Sequence, residues 1–540
     1  MGKGFIESIP RAVMVTLSNP LRAMTLAKKK LSAPRVPENS SFCYVREDEK
    51  MSTTIYLYNY WSENYKIERP EITFNILNAD GKNLGKKSVV LEPNASAAVR
   101  VGDILTHVNV PTPFEGTVLT TITSPHLVDK RPLQMNVDYF YANGSRVSGV
   151  HSQWGKLSEP KKEMLASFHV DVKPDINTHV VFRNTFHQTK NVPGVHAQLS
   201  LINHRGVKMV QNYPDISPHG MKKISVRDHF PNTETFLEGK HGNLEVTSSA
   251  EMGRCLFYHE MSDGSFCFDH ATQYLGEQED FAFTLEQMKQ MGIGTVGVGP
   301  VYVSGERDTY VIPFADFFQK ETVYSLDLTI FDANGKTILM RPRAATIHPG
   351  ETPRIAMGSL LSEEGISLPF EGVYRLSYHV AETIPRYPRT FHTITGYTFP
   401  RGKTEYQFDS GLFNMPTHNF SNEYQTSKIF SRVLVNENFN TMIFLTNASG
   451  ETGYSKTSAT TLSVFDPSGK TVAEKTIAIP ANGCVFVHLE KEFPSLKKDL
   501  SEGNGVGTVK VRDRTTRIVG AHFILGPNGD WLASDHLVGG

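Results

Sequence analysis

Leu462-Ser463-Val464-Phe465-Asp466-Pro467-Ser468-Gly469-Lys470 alternates apolar and polar side chains and then runs into a glycine turn. A second alternating run, Val485-Phe486-Val487, begins shortly after Pro480. A period of two marks a half-buried strand, and Gly or Pro between two such runs marks the corner joining them. The same pattern occurs as Phe74-Asn75-Ile76-Leu77 with Gly81 and Pro93, and as Leu199-Ser200-Leu201-Ile202 with Gly206 and Pro218. It occurs again as Leu328-Thr329-Ile330-Phe331 with Gly335 and Pro349. Successive glycines are 125, 129 and 134 residues apart and successive prolines 125, 131 and 131. One unit copied four times accounts for these spacings.

At 540 residues the chain exceeds what a single core can organise, and four units of about 120 residues each suffice for their own cores. The expected boundaries are an N-terminal arm over 1–40, units at 41–157 and 163–275, a helical linker at 276–297, and units at 298–415 and 426–540. The linker rests on Asp280 as a cap, Phe281, Leu285 and Met288 on one face, and Gly292 as a stop. Short alternating strands with frequent Gly turns predict an all-β protein of four tandem antiparallel sandwiches. In strand pattern the units resemble immunoglobulin-like sandwich modules, a likeness that carries no function with it.

The arm is amphipathic or disordered: Phe5, Ile6, Ile9, Val13, Met14 and Leu17 are apolar, but Pro10 and Pro20 break any helix. Glu7, Arg11 and Arg22 interrupt what a signal peptide would keep apolar, and no run is long enough for a membrane span. A cytoplasmic or peripheral-membrane location is expected, with a membrane surface reachable through the arm. The net charge of −1 speaks against nucleic acid as a partner. Protein partners or self-association fit a tandem array. Carbohydrate would need exposed aromatics, for which Tyr60, Trp61, Trp154 and Trp531 are candidates.

Motifs resembling known chemistry sit in the wrong context. Gly292-Ile293-Gly294-Thr295-Val296-Gly297 spells a dinucleotide fingerprint but follows a helix candidate and precedes a strand. Gly335-Lys336-Thr337 and Gly469-Lys470-Thr471 are hairpin turns, and His259-Glu260 lies on a strand. Cys255 and Cys267 flank a hairpin at Asp263-Gly264, and a two-residue turn there sets Cys267 opposite Glu260, away from Cys255.

The unit ends carry the remaining signal. Unit two closes with Phe268-Asp269-His270 and unit four with Ser534-Asp535-His536; unit one has Gly149-Val150-His151 at that place. His259 and His522 lie on the preceding strands. His259, Asp269, His270, His522, Asp535 and His536 thus form the candidate set for a divalent metal, bound across one hairpin if the side chains share a face. Structural Asp–His hydrogen bonding is the competing expectation. If Asn528-Gly529 is a two-residue turn, His522 faces Asp535; a bulge at Gly529 moves it to Ser534. The preferred function is a non-enzymatic protein presenting binding or assembly surfaces. The alternatives are a carbohydrate-active or metal-dependent enzyme with one site in unit two, where Glu260 is the candidate acid/base, and a peripheral membrane or envelope protein anchored by the arm.

Overall fold

The four repeated corners close in one way. Asn78 Oδ1 accepts the amides of Asp80 and Lys82 at 3.1 and 2.9 Å. Asn203 Oδ1 accepts Arg205 and Val207 at 3.0 and 3.1 Å. Asp332 Oδ1 accepts Asn334 and Lys336 at 2.9 Å, and Asp466 Oδ1 accepts Lys470 at 3.0 Å. The residue ending each turn must then take a left-handed backbone, with φ of 82° at Gly81, 74° at Gly206, 81° at Gly335 and 89° at Gly469. A side chain there would crowd the following carbonyl, so glycine stands at all four corners.

In the computed structural model of the chain, residues 1–37, 125–133, 142–145, 155–163, 185–194, 276–295, 314–322, 381–392, 413–426 and a few short gaps lie outside the described part. Residues 1–37 of the expected arm and the Asp280–Met291 helix therefore fall outside the described residues. Unit four shows the plan. Its strands run Ser427–Leu434, Asn440–Thr446, Thr460–Phe465, Thr471–Ile477, Cys484–His488, Val506–Asp513, Val519–Leu525 and Trp531–His536. One antiparallel sheet takes the fourth, third, sixth and first strands in that order, with Val538–Gly539 beyond the first. The other takes the fifth, second, seventh and eighth.

Units one, two and three repeat this order from first strands at Glu38–Glu47, Met164–Val170 and Val296–Val303 to eighth strands at Val147–His151, Phe266–His270 and Thr404–Leu412. The protein is all-β, built of four sandwich repeats. The first strands of units one and three begin at Glu38 and Val296, inside the expected arm and linker, because pairing with Thr123 and Ser377 extends them.

A threonine fastens the first two strands of every unit across the sandwich. Thr53, Thr178, Thr309 and Thr441 each accept the amide of the residue seven earlier, at 3.0, 2.9, 2.8 and 2.8 Å. Each hydroxyl donates back to that residue's carbonyl. A buried hydroxyl satisfied twice costs nothing in desolvation and fixes the strand crossing.

The corners also join the units. The Ala79 carbonyl of unit one accepts the Met221 amide of unit two at 2.7 Å, and Ala333 of unit three accepts Cys484 of unit four at 3.0 Å. Pro467 of unit four accepts Ser96 of unit one, also at 3.0 Å. In each case the glycine corner of one unit meets the start of the fifth strand of another, just after the repeated proline. Units two and three share a core in which Phe168, Leu199 and Phe257 pack with Tyr310, Ile312 and Leu326. Unit four returns to unit one, so the four sandwiches form a closed ring.

The eighth strands line its centre. Val147–His151 lies against Phe266–His270 and Trp531–His536, and Thr404–Leu412 lies against the same two.

Candidate metal centre

Because the eighth strands converge, the residues ending them meet from different units. His151, His270 and His536 each place a ring nitrogen within 4.8 Å of the others. The His151 ring centroid is 4.5 Å from that of His270 and 4.5 Å from that of His536. His151 and His270 are buried at 8% and 2% exposure, and His536 is half-buried.

The local Asp-His pairs set the backbone of two of these strands. Asp269 Oδ1 accepts the His270 amide and Asp535 Oδ1 accepts the His536 amide, both at 2.7 Å. Asp535 also faces His151 Nδ1 of unit one at 3.2 Å. Burial opposes ionisation of Asp535, yet His151, His536 and His522 around it hold its carboxyl well below the ordinary range. Burial and the neighbouring His151 lower His536 to about 4. His536 Nδ1 lies 3.3 Å from the Leu537 carbonyl. Arg254 Nη1 stands 3.5 and 3.4 Å from the two nitrogens of His270. An atom equidistant from both nitrogens in the ring plane would collide with Cε1, so the guanidinium lies against the ring face.

Of the six predicted residues, His270, Asp535 and His536 come to this centre. His259 does not: its Nδ1 bonds Thr178 Oγ1 at 2.9 Å, and its ring neighbours His169. His522 pairs in register with Asp535, but its Nδ1 bonds Ser431 Oγ at 2.7 Å and its Nε2 meets Arg432. Burial, together with Arg432, lowers His522 well below its ordinary value, so it serves Arg432 as a neutral acceptor. Asp269 caps the His270 amide. The ligand set expected across one hairpin is therefore divided, because alternation sends His259 and His522 to their own units while the strand ends reach the ring centre.

His151 belongs with His270 and His536 and stands outside the predicted set. Its signal is its equivalent place in the repeat; that the copies meet has no signature within any one copy.

Beside the histidines a second polar group crosses the junction of units one and four. Arg432 Nε donates to Asp138 Oδ2 at 2.5 Å, with both residues fully buried. Burial pushes the Asp138 carboxyl up to about 6 while the Arg432 guanidinium opposes it. Gly149 makes the room, since a Cβ there would lie 2.4 Å from Asp138 and 2.7 Å from Arg432. On the outer side of the junction, Glu63 of unit one gathers Lys428, Lys510 and Arg512 of unit four.

Gly264 takes φ of 81° and donates to the Met261 carbonyl at 2.9 Å, which bulges the hairpin. The pairing slips by one, so Cys267 faces His259 and Phe266 faces Glu260. Cys255 and Cys267 are buried in separate clusters. Glu260 accepts from His179 Nε2 at 3.1 Å, and that hydrogen bond lowers its pKa against the effect of burial. A general acid needs the opposite shift. Tyr60 and Trp61 are 4% and 0% exposed, with ring centroids 4.2 Å apart and planes tilted by 30°, closed to any sugar ring.

No family model and no curated protein matches the chain. Among solved structures, one described as a biofilm associated protein, BSP domain, aligns with 92% of this chain and 96% of its own at 9% identity. Its TM-score is 0.15, and a superposition that loose bears on neither fold nor role.

Proposed function

We propose that this protein is a non-enzymatic structural or interaction protein, a single-chain ring of four sandwiches that offers repeated surfaces to protein partners or to further copies of itself. The observation that carries this reading is the shared use of the repeat. The glycine corner, the crossing threonine and the eighth strand, which recur from unit to unit, build the sandwiches and join them to each other. Every unit ends one of its sheets in its fourth strand, Asn83–Val90, Lys208–Ile216, Thr337–Ile347 and Thr471–Ile477. Exposed Val90, Val210 and Met340 lie on three of these. Lys86, Lys87, Lys208, Arg341 and Lys475 on the same strands are the kind of residue that keeps an edge from indiscriminate pairing.

The reading is tested by offering the purified full chain chromogenic glycosides, esters and phosphoesters, with and without zinc. Product release equal to the protein-free blank is expected. Turnover that disappears in a His270→Ala variant would overturn it.

A further inference from the structure

We infer that His151, His270 and His536 bind one divalent transition-metal ion of the zinc class, held at the centre of the ring between units one, two and four. Three imidazoles from strands 119 and 266 residues apart in sequence are brought within one ligand sphere, with their nitrogens within 4.8 Å of each other. Zinc takes nitrogen at about 2.0–2.1 Å, which puts the nitrogens of a tetrahedral set roughly 3.4 Å apart. The rings therefore need to close by only about 1.4 Å at most, a side-chain adjustment.

The surroundings match what orients histidine ligands. Metal-bound imidazoles characteristically give their second nitrogen to a carboxylate or a backbone carbonyl. His151 Nδ1 faces the buried Asp535 carboxylate at 3.2 Å, and His536 Nδ1 faces the Leu537 carbonyl at 3.3 Å. Both contacts fix the ring and commit the metal to Nε2. Asp535 brings negative charge to a place where a divalent cation would otherwise face Arg254. Imidazole donors without thiolate select zinc, nickel, copper or cobalt over calcium and magnesium, which require oxygen.

Each ligand comes from a different unit, so the ion would staple the ring: it binds the closed arrangement and has no equivalent site in an opened one. Asp535 is a positioning residue here, acting through His151.

The test uses the full chain without a polyhistidine tag, stripped with chelator and returned to buffer. Cobalt as a spectroscopic probe should bind one equivalent with nitrogen-ligand visible bands, zinc should displace it, and either ion should raise the melting temperature. His270→Ala should abolish the bands. Asp535→Asn, which keeps the oxygen facing the His536 amide, should weaken binding by about 10–100-fold without changing the stoichiometry. Binding no tighter than in a His270→Ala/His536→Ala double variant would overturn the proposal. If those variants do not fold, zinc-edge X-ray absorption of the wild-type protein with one equivalent of zinc decides. Three imidazoles support the site, and fewer than three, or sulfur ligation, overturn it. Zinc retained without turnover leaves the non-enzymatic reading standing, whereas zinc-dependent turnover would remove that reading and not this one.

Discussion

Glu47 ends the first strand of unit one with 9% of its surface exposed, and its Oε1 accepts the Thr53 amide at 2.6 Å. Burial raises its carboxyl from 4.5 to about 7, the Thr53 amide pulling the other way and Asp48 and Asp103 adding to the rise. A carboxyl with a higher pKa folded than unfolded stabilises the fold fully below 4.5 and loses that contribution as pH rises through 7. Glu47→Gln keeps the acceptor and removes the charge. The variant should match wild type in melting temperature near pH 4 and exceed it by a margin that grows to pH 7 and then levels off. A constant difference across that range would show that Glu47 titrates normally. At this scale the sequence was partly legible. The corner glycines declare a left-handed backbone by their identity, while Thr53, Thr178, Thr309 and Thr441 share a spacing that reads as ordinary strand composition until the hydrogen bonds are drawn.

Gly335 and Gly365 separate the two things a corner glycine does. Both are left-handed, with φ of 81° and 68°. A Cβ on Gly335 would lie 2.0 Å from the Ala481 carbonyl of unit four, whereas one on Gly365 would meet nothing within 4 Å. Alanine at either position incurs the left-handed strain of about 1–2 kcal/mol. At Gly335 it must also displace the neighbouring unit, an overpacking cost of about 1–3 kcal/mol more. Denaturant titration of Gly335→Ala and Gly365→Ala should show that gap, and equal losses would mean the corner does not support the junction.

Elements were the most legible level, because strands announce themselves by alternation. The exceptions follow from length. The helical turns Val101–His107, Val226–His229, Met357–Glu363 and Leu489–Glu492 are too short to establish a period, although Val101, Ile104 and Leu105 are buried at helical spacing. The slipped Cys267 register turned on whether Gly264 is a turn residue or a bulge, which composition alone does not decide.

The apolar clusters ignore the unit boundaries. Tyr139 of unit one stacks on Phe268 of unit two at 3.7 Å, and Tyr58 meets Phe430 of unit four at 5.1 Å. Val298, Phe331 and Tyr397 of unit three share a cluster with Met442, Phe444 and Phe523 of unit four. Independent domains on linkers would melt separately, but cores shared at every junction couple them. Scanning calorimetry should record one cooperative transition for the full chain, and four resolved transitions would contradict the shared cores. This scale was the least legible. A repeat reports that units resemble one another and is silent on how they touch, so the assembly of the histidines could not be read from any single copy.

The junctions described between corner and fifth strand are head-to-tail: the surface a unit offers forward differs from the one it receives on. Contacts of that kind propagate into a filament, each added subunit presenting a fresh end, unless the rotation between subunits closes them into a ring. Here the last unit occupies the receiving face of the first, so growth terminates after four within one molecule. Were unit four held away from unit one with both faces intact, each molecule would present a free donor and a free acceptor face, and the expected product is a chain of molecules joined end to end.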